Sequence, residues 1–228
     1  EEPFTGTTVS YYENGQLDSR IPYKNGIQDG LNESYYENGQ SRYKEIFEDG
    51  EFHIVEGYHE NGQLKEKFYF NKDRKLDGLW EKYSDNGQLE SKGNYKDGEK
   101  NGLQENYSDN GQLSSKGNYK DGKEDGLQES YFDNGQLKGK INFKDGEKDG
   151  LYEWYWDNGQ LSSKVNFIDG KEDGLLENYK KNGQVSFKIN FKDGEKDGLE
   201  EWYFDDSQLN YKICHQIGEE VDISYCEK

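Results

Sequence analysis

The stretch YFDNGQL, residues 131–137, contains the tripeptide that organises the whole chain. Asn-Gly-Gln occurs eight times at intervals of 23 to 25 residues, and a degenerate ninth copy reads DSQ at residues 206–208. The eight copies begin at Asn14, Asn38, Asn61, Asn86, Asn110, Asn134, Asn158 and Asn182. This self-similarity predicts an array of nine repeats, in which each unit packs on its neighbours and presents an extended surface.

The composition of the chain, taken alone, is typical of a disordered polyelectrolyte. Leu, Ile, Val and Phe make up only about 18% of the residues, and the formal net charge is -19. Aromatic residues, however, form 15% of the chain and return at fixed positions relative to each Asn-Gly pair. A disordered chain has no reason to keep such a register, so the periodicity indicates a folded array.

Each position in a repeat can be numbered by its offset from the Asn of Asn-Gly. Offset -3 is Tyr in all nine units, offset -7 is aliphatic in eight units, offset +3 is mostly Leu, and offset +9 is Tyr or Phe in eight units. In one repeat these residues are Tyr131, Leu127, Leu137 and Phe143. Because all four offsets are odd, the pattern predicts β-strands with the four columns on one face of a sheet.

The same register favours one kind of turn. A three-residue loop such as Asp109-Asn110-Gly111, with Gly in the left-handed region, pairs offset -3 with +3 and offset -7 with +7. A two-residue loop would instead place the Tyr and Leu columns on opposite faces. The second connection, for example residues 120–126 with its two glycines, is predicted to be a longer turn.

A family resemblance rests on these residues. The stretch GNYKDG at 117–122, followed by Gly126, resembles the G-x-[WY]-x-x-G-x-x-x-G core of the MORN repeat. The whole unit, with its Tyr-x-x-Asn-Gly-Gln-Leu segment, is similar to the bacterial MORN repeat variant found in proteins labelled YwqK-type antitoxins. The resemblance implies an all-β fold, an elongated single-layer ribbon of about nine stacked 24-residue β-hairpins, and binding or scaffolding roles.

The repeats are expected to form a single domain over residues 1–228. Within it, residues 1–78 are divergent N-terminal repeats, residues 79–205 are regular repeats, and residues 206–228 form a C-terminal capping repeat. Cys214 and Cys226 flank the last turn, and the register places them on one face within reach of a disulfide, two reduced thiols being the alternative. An even number of cysteines, together with Glu1 and the lack of Met, predicts an exported chain without its signal peptide, although a trimmed sequence would begin in the same way.

Acidic and basic columns provide candidate binding residues. Offset -5 is Glu in eight units and offset +6 is basic in all nine, and the parity places these two columns on opposite faces. One interpretation is a polar ladder, in which each Glu accepts a hydrogen bond from a Tyr or reaches a Lys across the sheet edge. The other is a groove for a cationic or hydroxyl-rich ligand, lined by Tyr and by Glu105, Glu129 and Glu153.

Large aromatic residues in the later repeats form a second candidate site. A contact patch for a partner is predicted on the outer face. Its members are Phe132, Trp154, Trp156, Trp202 and Phe204. The alternative is that these side chains pack between adjacent hairpins.

The sequence contains no motif that indicates catalysis or metal binding. His53, His59 and His215 do not align in the repeat, and neither nucleophile motifs nor zinc or calcium ligand spacings are found. We therefore expect no catalytic residues, no metal and no cofactor. The acidic charge disfavours nucleic acid and anionic lipid, and no stretch approaches the roughly 20 apolar residues of a membrane span.

Three classes of function follow from this pattern. The first is a non-enzymatic, exported bacterial interaction or adhesion module, secreted or on the cell surface, with a protein partner on a host or neighbouring cell. The second is a cytoplasmic antitoxin-like or immunity-like protein that neutralises a basic partner. The third is a glycan or cell-wall binding module. Pairing of two copies through the apolar cap near Ile213 and Ile223 is a further hypothesis.

Overall fold

The computed structural model describes residues 2–227, and it confirms the predicted all-β fold. Antiparallel β-hairpins recur along these residues with the predicted repeat period. The chain divides into two compact units, residues 1–112 and residues 113–228. This boundary differs from the predicted subdivision into divergent, regular and capping repeats, which stays a prediction.

The first unit is a run of hairpins in which each strand pairs antiparallel with its sequence neighbours. Its strands are β1 (Gly6–Tyr11), β2 (Leu17–Lys24), β3 (Ile27–Gln28), β4 (Gly30–Tyr35), β5 (Ser41–Glu48), β6 (Glu51–Tyr58), β7 (Leu64–Tyr69), β8 (Gly78–Tyr83), β9 (Leu89–Lys96) and β10 (Glu99–Tyr107). Strands β3 and β4 are consecutive segments that both pair with β2.

The second unit repeats this arrangement. Its strands are β11 (Leu113–Lys120), β12 (Lys123–Tyr131), β13 (Leu137–Lys144), β14 (Glu147–Lys148), β15 (Gly150–Tyr155), β16 (Leu161–Ile168), β17 (Lys171–Glu172), β18 (Gly174–Tyr179), β19 (Val185–Lys192), β20 (Glu195–Tyr203), β21 (Leu209–Gln216) and β22 (Glu219–Val221). A single 3-10 turn, Ile223–Tyr225, follows β22.

The Asn-Gly loop has the predicted three-residue form. In the hairpin of β12 and β13, the amide of Phe132 donates to the carbonyl of Gln136 at 2.9 Å, and the amide of Gly135 donates back to the carbonyl of Phe132 at 2.8 Å. Gly135 has a φ of 80°, which only Gly adopts without strain. The Asn134 Oδ1 accepts from the Gln136 amide at 3.0 Å, so the side chain of Asn closes the loop.

Beyond the loop, a β-bulge changes the register. Tyr131 pairs with Leu137, as predicted for offsets -3 and +3, but Ser130 then pairs with Gly139, and Lys138 is left over. Leu127 consequently faces Asn142 at offset +8, so the predicted pairing of offset -7 with +7 is wrong. Because one extra residue exchanges the two sides of the second strand, the odd offsets of the two strands beyond the bulge lie on opposite faces.

The register beyond the bulge defines two faces of the sheet, the ladder face and the core face. The ladder face carries offsets -3, -5 and -7 of the first strand with +3, +6 and +8 of the second, and the core face carries -4, -6 and -8 with +5, +7 and +9. On the core face of the second unit, Ile141, Val165 and Phe167 form a buried cluster. The expectation that the +9 aromatics share a face with the Tyr column is therefore wrong.

The second connection is tighter than predicted. Lys120 pairs directly with Lys123, which leaves a two-residue turn of Asp121 and Gly122. Both turn residues have positive φ, 48° and 79°, as a type I′ turn requires, and Asp and Gly are residues that tolerate this region. The second glycine of the connection, Gly126, has a φ of 102° and lies in the register shift that follows.

The C-terminal cap is held by a covalent bond. The structure joins Cys214 of β21 to Cys226, which follows the 3-10 turn, and Cys214 is only 1% exposed. The side chain of Asp222 caps the turn by accepting from the Ser224 amide at 3.0 Å. Ile217 occupies the turn position that is Asp in most other repeats, with a φ of 50°.

Candidate interaction surface

In each unit, a row of alternating charges crosses the strands on the ladder face. Within a unit, each Glu at offset -5 pairs with the basic residue at offset +6 on its neighbouring strands, so negative and positive side chains alternate. In the second unit the row is Lys116, Glu129, Lys140, Glu153, Lys164, Glu177, Lys188, Glu201 and Lys212. The first unit carries Arg20, Glu33, Lys44, Glu56, Lys67, Glu81, Lys92 and Glu105 in the same way.

The charge row shows that the predicted face of the basic column is wrong, and it also affects the predicted ligand groove. The basic column was expected on the face opposite to Glu, and it lies on the same face because of the bulge. The Lys92 Nζ lies 2.8 Å from Oε2 of Glu105. Glu129 and Glu153 are held in the same way, by lysine ammonium groups at 2.8 and 2.6 Å. A cationic ligand at the predicted groove would therefore have to displace a lysine.

Tyrosines of offset -3 add hydrogen bonds to the charge row. The hydroxyl of Tyr58 donates to Oε2 of Glu56 at 2.7 Å, while the Lys67 Nζ lies 2.8 Å from the other carboxylate oxygen. Hydrogen bonds from Lys67 and Tyr58 hold the pKa of Glu56 below its usual value. Burial, together with the neighbouring carboxylate, raises the pKa of Tyr58 to about 12. Each carboxylate of this kind is therefore satisfied within the sheet.

We predict that the fold loses stability in alkaline solution. The pKa values of Tyr58, Tyr83 and Tyr179 are raised in the folded chain, chiefly by burial and then by the adjacent Glu, so the folded state holds these protons more tightly than the unfolded state. Their contribution is complete below the unfolded pKa of 10.0 and is lost as the pH rises towards about 12. The thermal unfolding midpoint, followed by circular dichroism, should fall across this window. A midpoint that stays constant across it would contradict the prediction.

A charge swap tests whether the row acts as a unit. Exchanging Lys140 and Glu153, by Lys140→Glu with Glu153→Lys, keeps their own contact and places Glu beside Glu129 and Lys beside Lys164. We expect the double variant to lose about 1 kcal/mol of unfolding free energy in urea. A surface pair outside the row provides the control, because Lys181 and Asp157 lie 2.7 Å apart and are both well exposed, and the Lys181 ammonium also lies 5.7 Å from the ring centre of Trp156. Swapping that pair should cost less than swapping the row pair, and equal effects of the two swaps would disprove the cooperative row.

Exposed leucines form a second feature of the ladder face. The column at offset -7 was expected in the core, yet Leu127, Leu151 and Leu175 are 37%, 46% and 39% exposed. They lie one per repeat and pair across the strands with polar Asn142, Asn166 and Asn190. Two strand spacings separate successive members, about 10 Å. We call Leu127, Leu151 and Leu175 the leucine column.

The five predicted aromatic contact residues lie in different environments. Phe132 and Trp154 both lie beside Lys138, whose Nζ is 5.7 and 5.4 Å from their ring centres. The indole of Trp156 donates to the carbonyl of Tyr179 in the next repeat at 3.0 Å. Trp202 stacks between two other rings of the core face, whereas Phe204 is 51% exposed. The role of these residues as a partner contact stays a prediction.

The offset -2 column, to which Trp156 belongs, links one repeat to the next. The hydroxyls of Tyr12 and Tyr36 donate to the carbonyls of Tyr35 and Tyr58 at 2.6 and 2.8 Å. The ring of His59 makes the equivalent contact to Tyr83 at 3.0 Å. The sequence showed only a variable column, but these residues share an N–H or O–H at the end of a long side chain.

One buried carboxylate was not anticipated from the sequence. Glu200 on the core face accepts hydrogen bonds from Lys196, Trp202 and His215, at 2.5, 2.7 and 2.9 Å. Burial would raise the pKa of Glu200, but these partners hold it below its usual value. With three donors, the carboxylate is a structural anchor of the last repeats.

Neither a metal site nor a membrane helix is found in residues 2–227. No group of three or more His, Cys, Asp or Glu side chains in this part of the chain is placed to hold a metal ion. No helix there has the length and apolar content needed to cross a bilayer.

The geometry defines a β-hairpin repeat protein, with an Asn-Gly loop in eight repeats and a pair of row charges in eight repeats. A family model described as the MORN repeat variant matches the chain nine times. The matches cover residues 4–25, 28–49, 54–72, 76–97, 100–121, 124–145, 148–169, 172–193 and 196–216. The chain belongs to the MORN repeat variant family.

Comparisons with whole proteins add little to this assignment. No curated protein matches the chain. Solved structures with similarity include a crystal structure of TcdB2-TccC3 and the Photorhabdus luminescens Tc holotoxin pore, each at 14% identity and a TM-score of 0.24. The matches cover 94% of this chain but only 14% of either of those chains.

Proposed function

We propose that the protein is a non-enzymatic protein-binding module of bacterial origin, which contacts its partner through the leucine column. The observation that supports this proposal is the exposure of one leucine in each of three consecutive repeats, in a chain with a mean hydropathy of -1.33. Exposed apolar side chains that are arranged in a line, rather than scattered, are typical of interaction sites. Repeat proteins commonly bind partners along such extended surfaces.

The neighbouring charge row favours coverage by another protein. Burying unpaired charges costs several kcal/mol for each ion, but here each Glu already has lysine partners within the sheet. A partner therefore needs no matching charges to cover the row. Because each leucine is 37–46% exposed, covering it would contribute about 0.6–1.4 kcal/mol, which is that share of the value for a fully exposed side chain.

The disulfide of the cap supports an exported location. Disulfides persist in oxidising compartments and are rare in the cytosol, and both cysteines of this chain belong to this bond. We therefore place the partner outside the cytosol, on a host or neighbouring cell. The antitoxin-like alternative would instead place a basic partner in the cytosol.

Capture of partners by the tagged chain tests the proposal. Intact cell surfaces and cytosolic lysate are probed in parallel at low and physiological salt, and bound proteins are identified by mass spectrometry. The key variant combines Leu127→Ser, Leu151→Ser and Leu175→Ser. We expect it to lose most of the surface partner while its circular dichroism spectrum shows that the chain remains folded. Its unfolding midpoint should fall, because more than half of each leucine is covered in the parent fold.

A matched control separates the leucine column from the aromatic residues. Phe204→Ser removes an apolar side chain that is 51% exposed at an Asn-Gly-type loop, away from the leucine column. This variant should bind normally. Loss of binding in Phe204→Ser with full binding in the leucine variant would assign the contact to the aromatic residues. A basic cytosolic protein, captured in place of a surface protein, would support the antitoxin-like alternative.

A further inference from the structure

The chain is unusually rich in a chemically labile dipeptide. Asn-Gly occurs in the eight Asn-Gly-Gln loops and also at Asn25-Gly26 and Asn101-Gly102. In this dipeptide the backbone nitrogen of Gly can attack Cγ of Asn, since Gly has no side chain to hinder the approach. The new N–Cγ bond closes a succinimide ring, the Cγ–Nδ2 bond breaks, and ammonia leaves with the proton of the Gly amide. Water then opens the ring to Asp or isoaspartate.

The Asn-Gly-Gln loops restrain the groups that must move in this reaction. Oδ1 of Asn38, Asn61 and Asn158 accepts from the amide two residues ahead, at 2.9, 3.0 and 3.0 Å. Nδ2 of the same residues donates to a backbone carbonyl in the next repeat, at 3.0, 2.6 and 3.0 Å. The side-chain amide is thus fixed at both ends, and its rotation towards the Gly nitrogen requires both hydrogen bonds to open.

Asn25 has the same neighbour but a different environment. It lies in the two-residue turn between β2 and β3, is exposed, and has a φ of 53°. Its backbone amide donates to Oγ1 of Thr5 at 2.9 Å, and the amide of Gly26 donates to the Phe4 carbonyl at 2.7 Å, just as the Gly amides of the Asn-Gly-Gln loops donate to a carbonyl. The difference lies in the side-chain amide of Asn25, for which no hydrogen bond with residues 2–227 is found. The remaining dipeptide, Asn101-Gly102, is half-buried within β10.

We propose that Asn25 is a site of spontaneous deamidation in the folded protein, and that the loops of Asn38, Asn61 and Asn158 are protected by their hydrogen bonds. The Asp product fits the fold, because Asp49, Asp121 and Asp145 occupy the equivalent turn position with φ of 48°, 48° and 53°. Conversion to Asp therefore turns an exceptional Asn-Gly turn into the Asp-Gly turn of most other repeats. Isoaspartate adds a methylene to the backbone and does not fit a two-residue turn.

Incubation of the full chain at mildly alkaline pH tests the proposal. Samples are digested at intervals, and amide-to-acid conversion is measured by mass spectrometry for the peptides that contain Asn25, Asn38, Asn61 and Asn158. Conversion at Asn25 should be at least about tenfold faster than at the other three, because they react only after local opening. In concentrated urea the four rates should converge.

Two results would overturn the proposal. Equal rates in the folded chain would show that the loop hydrogen bonds do not protect. A ratio that persists in urea would show that local sequence, rather than the fold, controls the rate. The variant Asn25→Asp tests the fit of the product: its unfolding midpoint should match that of the parent chain, and a clear decrease would refute the claim that Asp is accommodated.

Discussion

Replacement of Gly139 by alanine is expected to destabilise the second unit by about 1–3 kcal/mol. The reason is the indole of Trp154 on the paired strand. A Cβ at position 139 would stand 2.4 Å from Cε3 and 2.7 Å from Cζ3 of that ring, and 3.3 Å from the carbonyl oxygen of Glu153. A rigid ring can move away only as a whole, and here it also packs beside Tyr152 and Lys138.

The control for Gly139 is a second glycine with a flexible neighbour. At Gly117 a Cβ would meet the amide of Gln128, with 1.4 Å to its Oε1. This side chain can rotate away at the cost of its hydrogen bond to the Asn118 carbonyl, 2.8 Å long. Gly117→Ala should therefore be less destabilising than Gly139→Ala.

A double-mutant cycle in urea measures the contact directly. In the Trp154→Ala background, Gly139→Ala should cost much less than in the parent chain, with a coupling energy of about 1 kcal/mol or more. Additive effects of the two substitutions would show that the ring and the glycine are independent, and the steric explanation would then be wrong.

Loss of the disulfide is expected to cost about 2–5 kcal/mol of stability in the C-terminal cap. The bond closes a short loop between residues that are 12 apart in the sequence, and it restrains the unfolded cap as well as fixing Cys226 near β21. The double variant Cys214→Ser with Cys226→Ser also places a hydroxyl where the parent side chain is 1% exposed.

The location of the effect is as diagnostic as its size. Repeat arrays are stabilised by contacts between neighbours, so hydrogen exchange should accelerate in β21 and β22 and change little in β11 to β13. The parent chain treated with a reductant should show the same pattern without any substitution. Uniform acceleration of exchange along the second unit would contradict stabilisation by nearest neighbours. Unchanged exchange in the cap would show that the disulfide does not stabilise it.

The sequence predicted the structure best where a residue pair is typical of a single backbone conformation. Asn-Gly at eight positions predicted the loop, and the pairing of Tyr131 with Leu137 followed from it. The Tyr and Glu columns were also placed correctly on a common face, since both lie on the strand before the loop.

The β-bulge could not be predicted from the same pattern. The extra residue is Asp18 in one hairpin, Lys65 in another and Lys138 in a third, so it has no chemical signature. This extra residue nevertheless moves every later side chain of the strand to the opposite face of the sheet. For this reason the basic column and the +9 aromatics were assigned to the wrong faces, and the exposed leucine column was taken for core.

The repeat pattern does not predict which aromatic side chains are free to contact a partner. Trp156 and Phe204 share one offset, yet Trp156 has its N–H on a backbone carbonyl and Phe204 extends into solvent. The difference depends on whether the ring carries a donor and on what the following repeat offers to it. The sequence states whether the ring carries a donor. It does not state directly which acceptor the following repeat brings close to that ring.

The alternation of the charge row has a consequence for how such a protein can change in length. From the second repeat onwards each repeat brings one acidic and one basic member, so gene duplication or loss of one of these units leaves the sum of the row and its order unchanged. Recombination between two Asn-Gly loops would rejoin a Lys strand to a Glu strand at every junction. The number of repeats can therefore change while the alternation of charges along the row stays the same.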